Sequence, residues 1–450
     1  MIFFLAYKSL IINVLHVYMP AVLWYYSAMN STNQTTVFDR LFAPLLSALD
    51  RSTNRRRCSG YSDRDFILCG VQRVISQARS GRDWVQAVRE KMNIGVTVSS
   101  FFYSLRSRRR LTLVEDVASS IVTKVNDSCG AEHDPLSEHS ELNGYHVYAS
   151  DGHYEKAASH TPRIEGKVYA SGFFYALNLR SHSLSLLDIA RPVKKKEHDM
   201  HALKRLTFTQ LRFGAPKGVK VIHVYDAAVI DYRQWYDWKW KGIYIISREK
   251  TNSKAESSGP LDFDREDKRN IGVLSDELVS CFAGIMIRRV RYVDHVTGKQ
   301  YSFLTNEMRV PPGLIAFMYK LRWDVEKIFD EKKNKLEESK SWATSEVARS
   351  QQAHFICMAH NLLLLLERSL EREEGITDEK VKRRRQKRMD QAKEKVKEAG
   401  KRLSPMVANC TRITQRSLQF IRWVRHTLDS NTSWTEAVQS LRPLMMNYLA

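Results

Sequence analysis

Tyr319, Arg322, Glu326 and Lys333 stand in the stretch YKLRWDVEKIFDEKK, which opens at Tyr319. Apolar residues recur through it at three- to four-residue spacing, which predicts a helix. With Tyr319 at zero and about 100° per residue, Arg322 falls near 300°, Lys333 near 320° and Glu326 near 340°, one stripe roughly 60° wide. Ile328, Leu321, Val325, Leu336 and Phe329 fall between about 180° and 280° on that wheel, so the polar stripe borders the buried face. Glu326 then offers hard oxygens at the mouth of a core. The plain alternative is an exposed helix laced by pairs such as Arg322 with Glu326, each contributing about 0.2–0.5 kcal/mol. Asp324, Lys327 and Glu331 fall off the stripe and read as solvated charges, while Asp330 lies close beside it.

Two more carboxylates give Glu326 something to complete. YHVYAS reads as a short strand ending at Asp151, and VKVIHVYD as a nearly continuous apolar strand ending at Asp226. Between them lie two strand-like runs around a turn near Ser181 and a helical run, HDMHALKRLTFTQLRF. Strand, strand, strand, helix, strand is the element order of a mixed α/β core. Carboxylates at the ends of neighbouring strands, joined by one from a helix crossing the sheet, can hold two hard divalent cations about 3.5–4 Å apart, and Mg²⁺ suits such oxygen ligands. Such a pair activates a water or 3′-hydroxyl and stabilises the leaving oxygen during in-line displacement at phosphorus. Asp226 is preferred to Asp231 because it directly ends the apolar strand; Asp188 also ends a strand-like run. His146, His153, His160 and His223 surround the site and read as paired or solvated histidines before ligands.

The chain that must position these groups has 450 residues, 43% of them apolar, enough for two or three domains. Its net charge of +21 points to a polyanion, nucleic acid first. The basic residues are spread over several segments with no lipidation motif, so no membrane partner is expected. Six scattered cysteines without a CxxC pair indicate neither a zinc site nor a disulfide framework. Residues 1–28 form an apolar leader that reads most simply as lying upstream of the true start at Met29; a membrane anchor or signal and a buried helix are the alternatives.

From 29 to 138 the chain reads as a helical N-terminal DNA-binding domain. There NIGVTVSSFFYSLRSRRRL reads equally as the turn and second helix of a helix-turn-helix or as the edge of a bundle, and either leaves Arg106, Arg108, Arg109 and Arg110 to meet phosphates. The first part of the core spans 139–234, a β-rich insertion 235–310, and the second part of the core, opened by Pro311, Pro312 and Gly313, 311–370. Trp235, Trp238 and Trp240 read first as packing of the insertion, with stacking on an unpaired base, Trp238 foremost, as the alternative. Residues 371–450 are a basic helical C-terminal region for DNA binding or dimerisation, in which Lys380 to Arg402 carries twelve Lys and Arg against three acids.

YASDGHYEKA, VIHVYDAAVIDYRQW and above all SFLTNEMRVPPGLIAFMYKLRWDVEKIFDEKK resemble the bacterial DDE transposases of the insertion-sequence-four group. That group carries a tyrosine, two residues, arginine, three residues, glutamate, six residues and lysine, and Tyr319, Arg322, Glu326 and Lys333 match every interval. The resemblance covers roughly residues 140–370. It implies an RNase H-like catalytic core with a β-rich insertion, flanked by helical regions. It further implies that Asp151, Asp226 and Glu326 bind two Mg²⁺ ions, with Mn²⁺ able to substitute, while Tyr319, Arg322 and Lys333 hold DNA phosphates. The implied activity is cut-and-paste transposition in the bacterial cytoplasm: a homodimer binds terminal inverted repeats, cleaves the double-stranded DNA and joins it to target DNA. A metal-dependent nuclease without strand transfer and an inactive, domesticated DNA-binding derivative are the alternatives. Asp151 is followed by Gly-His where the group often has Gly-Thr or Gly-Ser, Asp226 is followed by two alanines where a basic residue and glycine are common, and Asp188 has no counterpart.

Overall fold

Parallel neighbours in a sheet need crossover connections, whereas antiparallel ones need only turns, and both kinds meet in the single nine-stranded sheet of this protein. The computed structural model describes residues 35–56, 61–76, 80–191, 196–227, 229–281, 284–336, 338–410, 415–430 and 432–446. The apolar leader, and with it the expectation about Met29, lies outside them. No helix among the described residues is long and apolar enough to cross a membrane.

The chain starts with helices α1 (Val37–Arg51), α2 (Asp63–Ile75), α3 (Gly81–Met92), α4 (Val98–Ser104) and α5 (Arg108–Asp127). Their starts follow local chemistry: Thr36 and Asp39 form a reciprocal capping box on α1, and Thr97 and Ser100 another on α4. The α3–α4 turn holds Asn93 in the left-handed region (φ 50°). Phe101 of α4 is fully buried, with its ring 4.5 Å from that of Trp84. The short helix is thus packed into a bundle.

A meander follows, β1 (Tyr145–Glu155), β2 (Ser171–Asn178) and β3 (Leu184–Ile189), all antiparallel. Helices α6 (Asp199–Arg205) and α7 (Phe208–Leu211) return the chain to β4 (Lys220–Tyr225), parallel to β1. Helix α8 (Tyr232–Lys239) then leads to β5 (Ile243–Arg248), parallel to β4. This moves the expected boundary: WKGIYIISRE, read as insertion, is a core strand, hydrogen-bonded in parallel to β4, with Ile243 and Ile245 buried on one face of the sheet and Ile246 on the other. The strands β6 (Glu256–Pro260), β7 (Val273–Ser280), β8 (Met286–Val293) and β9 (Gln300–Thr305) extend the same sheet, with β9 antiparallel to β5. The full order is β3-β2-β1-β4-β5-β9-β8-β7-β6.

Helix α9 (Pro312–Asn334) starts at a proline, whose missing N–H is no loss in a first turn. A side chain at Gly313 would collide with the Arg269 carbonyl, so only glycine lets the helix start so close to that loop. Leu314, Phe317, Leu321, Val325 and Ile328 of α9 pack on Val147, Ala149, Ile222 and Val224 of the sheet. The other face is covered by Leu203, Leu211, Trp235 and Trp238. Beyond it, α10 (Glu346–Glu374), α11 (Glu379–Glu398), α12 (Pro405–Ala408), α13 (Leu418–Leu428) and α14 (Trp434–Met446) complete the chain. Phe355 and Leu362 of α10, Phe420 and Trp423 of α13 and Leu441 of α14 share one core with Phe42, Phe66 and Val114 of the N-terminal helices.

Gln415 and Arg416 of the C-terminal segment cross α9 at Asp330 and Glu331, and the reading of Asp324, Lys327 and Glu331 as solvated does not hold. Asp324 and Glu331 are buried; Asp324 pairs with the half-buried Lys327 at 2.6 Å, and Glu331 with Arg416 at 2.7 Å. Lys332 is buried beside Glu155 of β1. Burial supplies the reason for the pairing, since an ion removed from water must find a counter-charge.

Candidate active site at the end of two parallel strands

Side chains alternate across a strand, so Val147, Ala149 and Asp151 share the α9 face of β1, as Ile222, Val224 and the position of Asp226 do on β4. The parallel pairing ends at Ala149 with Val224, while β1 continues along β2 as far as Glu155. The strands part there, and both aspartates emerge at the opening beneath α9.

Arg322 joins the groups. Its Nη2 donates to Glu326 Oε1 at 2.9 Å, its Nη1 lies 3.9 Å from Asp151 Oδ2, and its carbon centre sits 5.6 Å from the Tyr319 ring. The Tyr319 hydroxyl donates to Asp226 Oδ1 at 3.2 Å, and Arg248 of β5 approaches that oxygen at 3.4 Å. Arg322 is almost wholly buried, whereas Asp226 is half-exposed. Lys333 is exposed on the same helix.

These surroundings separate the two aspartates. Burial pushes the Asp151 carboxyl up to about 6; Arg322 and the Gly152 amide oppose the rise, and the charges of Glu326 and Asp226 add to it. Burial also acts upward on Asp226, but the Ala227 amide, Arg248, Arg322 and Tyr319 together hold it below the ordinary carboxylate value. Burial pushes the Tyr319 phenol up to about 12. It lowers Arg322 too, but Tyr319, Glu326 and Asp151 more than reverse this.

Asp151 is therefore held at a cost to folding. Its native carboxyl titrates near 6 against an ordinary 3.8, so the folded chain binds the extra proton between those values and stability falls as pH rises through that window. Asp151→Asn is expected to raise stability at neutral pH by about 1–3 kcal/mol and to flatten that slope. Urea unfolding across the window tests this; an equal or lower midpoint for the variant would contradict it.

Sequence reasoning missed two groups. Burial and the charge of Asp151 push Asp199, the first residue of α6, up to about 6. Its Oδ1 would lie 3.0 Å from a β-carbon on Gly152, so that glycine makes room for it. In sequence Asp199 is one acid in a helical first turn, and Arg248 one charge ending a strand; neither spacing marks a site. Asp188 is paired with Arg205 at 2.6 Å, and Asp231 caps α8 by accepting from the Gln234 amide at 3.0 Å.

Other expected residues are placed elsewhere. Arg109 and Arg110, expected to meet phosphates, are committed instead to the buried Asp63: Arg109 grips both its oxygens at 2.6 and 2.7 Å, and Arg110 donates to it at 3.2 Å and to the Tyr61 carbonyl at 2.7 Å. Arg106 and Arg108 remain exposed. Trp238, the candidate for stacking on a base, is 1% exposed within the core under α8, and Trp235 is fully buried; Trp240 stands 73% exposed. His223 is buried between the Leu211 carbonyl (2.9 Å) and the Ser150 hydroxyl (3.2 Å), and burial pushes it down to about 4. His153 lies 4.7 Å from the Phe329 ring, with burial pushing it down to about 3. Burial lowers His146 as well, and His160 is exposed.

Among the described residues, no three His, Cys, Asp or Glu side chains stand close enough together to hold a metal ion. Asp151 and Glu326 are paired to the Arg322 guanidinium, and Asp226 to Tyr319 and Arg248, rather than gathered around a common point. Their chemistry nevertheless fits a hard divalent cation: Asp151, Asp226 and Glu326 offer only oxygen donors, and the upward push of Glu326 and Asp226 on Asp151 marks mutual repulsion that a cation would relieve.

No curated protein matches the chain. Among solved structures, the piggyBac transposase synaptic complex with hairpin DNA, determined by cryo-EM, is similar over 92% of this chain and 83% of its own, at 12% identity and a TM-score of 0.33, too loose to place one residue on another. Residues 164–362, a stretch that begins beyond Asp151 and holds Asp226 and Glu326, match the family described as the transposase DDE domain, and the match supports a DDE transposase.

Proposed function

We propose that the protein is a DNA transposase of an insertion sequence, which binds terminal inverted repeats, cleaves the DNA at the element's ends and joins them to target DNA. The observation that carries the reading is that one stripe of α9 links all three carboxylates at the parting of two parallel strands: Arg322 reaches Glu326 at 2.9 Å and Asp151 at 3.9 Å, and Tyr319 donates to Asp226 at 3.2 Å. The strand order β3-β2-β1-β4-β5, with β2 reversed and β1, β4 and β5 parallel, supports an RNase H-like core. Mg²⁺ or Mn²⁺ held by the three carboxylates would supply charge neutralisation at phosphorus and a more acidic attacking hydroxyl. The chain's own part is positioning. Arg322 presents a rigid fork to a phosphate, Lys333 a point charge, and Tyr319 a hydroxyl that also steadies Asp226. Of the four arginines expected to meet phosphates, Arg106 and Arg108 are the exposed pair available to DNA, and the helical flanks are the regions proposed for end binding and for pairing two subunits.

The test is incubation of the purified full chain with labelled ends of the element, a supercoiled target and Mg²⁺ or Mn²⁺. Ends covalently joined to target are expected, with chelation by EDTA stopping both cleavage and joining. Cleavage without any joining would establish a plain nuclease in place of a transposase.

A further inference from the structure

Helix α9 carries a second polar stripe that the proposed reaction leaves unused. On the wheel that puts Glu326 near 340°, Lys320 falls at about 100° and Lys327 at about 80°, with Trp323 between the stripes at about 40°. These lysines form one wall of a cleft of about 690 Å³ whose other wall is α11, with Arg384, Arg385 and Arg388. Asp378 is the acid among the described lining residues, and its side chain is already engaged, accepting from the Val381 amide at 3.0 Å as the cap of α11. Lys320, Arg384 and Arg388 are exposed and pair with no carboxylate among the described residues. Lys327, although bonded to Asp324, feels the charge of Arg385 across the cleft, and Arg385 in turn feels Arg388.

Like charges facing one another in a half-enclosed cleft are mutually destabilising and create a field that gathers anions. We infer that the cleft between α9 and α11 is a second phosphate-binding surface, which takes the backbone of duplex DNA leading away from the scissile bond. This rests on the transposase reading and extends it. The two stripes are separated by about 100° around a helix of radius roughly 5–6 Å, a chord of about 8 Å, or some two nucleotides at about 3.4 Å of rise each. Trp323, 58% exposed and 5.8 Å from the Arg322 guanidinium, stands on the path between them. A continuous backbone gripped by Arg322 and Lys333 therefore passes Trp323 into the cleft.

Fluorescence anisotropy of a labelled duplex, repeated over a range of salt concentrations, tests the inference. Arg384→Gln with Arg388→Gln is expected to weaken binding about ten-fold and to lower the slope of log K against log salt by about two, since each lost phosphate contact removes about 0.9. Arg383→Gln with Lys387→Gln makes the same charge change on the same helix at exposed positions outside the cleft, and is expected to leave the slope nearly unchanged. Both duplexes, one carrying the element's end and one unrelated, are expected to show the loss, because phosphates carry no sequence. Equal losses for the two double variants would reduce the effect to net charge and overturn the inference, as would a loss confined to duplex RNA. An unaltered protein that binds and joins DNA while the cleft variants bind like it leaves the transposase reading standing and removes this one; failure of the unaltered protein to bind any duplex removes both.

Discussion

Glu326→Gln is expected to lower metal-dependent DNA cleavage by about 10³-fold or more, a loss of roughly 4 kcal/mol of transition-state stabilisation, while duplex binding changes little. The substitution is nearly isosteric. A glutamine oxygen can still accept the 2.9 Å hydrogen bond from Arg322, so the guanidinium stays in place and the phosphate-binding stripe survives. What is lost is the negative charge and one hard ligand oxygen from a set of three carboxylates. Asp330→Asn is the matched control. Asp330 is exposed, lies close to the stripe and bonds to Asn334 and Gln415 away from Asp151 and Asp226. Its variant is expected to cleave like the unaltered protein. Gel-based cleavage assays with saturating metal read both, and a Glu326→Gln protein that still cleaves would refute the assignment of the site.

The largest expected loss of stability comes from Arg416→Met, about 3–5 kcal/mol. Arg416 is 4% exposed, donates to Glu331 at 2.7 Å, lies 2.7 Å from Glu367 and reaches the His360 carbonyl at 3.2 Å. It thereby ties the segment between α12 and α13 to the outer face of α9 and to α10. Methionine fills most of the volume but leaves two carboxylates facing one another without a cation. Burial already pushes Glu367 up to about 7, so loss of the guanidinium removes what opposes that rise. Glu331→Gln keeps the shape and leaves Arg416 with Glu367, for a smaller expected loss of about 1.5–3 kcal/mol, the scale of one charge-assisted hydrogen bond. Urea denaturation measures both. Equal midpoints for Arg416→Met and the unaltered chain would mean that the crossing segment does not hold α9 in place.

The same crossing shows where single-helix reasoning stops. A helical wheel correctly put Tyr319, Arg322 and Glu326 on one stripe beside the buried face, because that geometry is local to one helix. It assigned Asp324 and Glu331 to solvent because nothing within the helix covers that side. The cover of Glu331 comes from Arg416, 85 positions further on, while Asp324 is buried and paired with Lys327. Arg109 and Arg110 repeat the pattern: a run of arginines reads as a phosphate contact until Asp63, 46 and 47 positions earlier, is found between them. Trp235, Trp238 and Trp240 read as packing of an insertion because periodicity carries no information about which sheet position the next strand will take.

Strand parity, the proline start of α9, the caps of α1 and α4 and the spacing from Tyr319 to Lys333 are properties of the covalent chain, as is the strong positive charge. Packing between distant segments makes β1 outrun β4 so that Asp151 and Asp226 lie at the same end of the sheet, puts Arg322 between Asp151 and Glu326, and brings Asp199 and Arg248 nearby. The division has one physical cause. Local periodicity fixes the direction in which a side chain points, whereas its charge state and its partners depend on what packs against it, and those groups come from far along the chain.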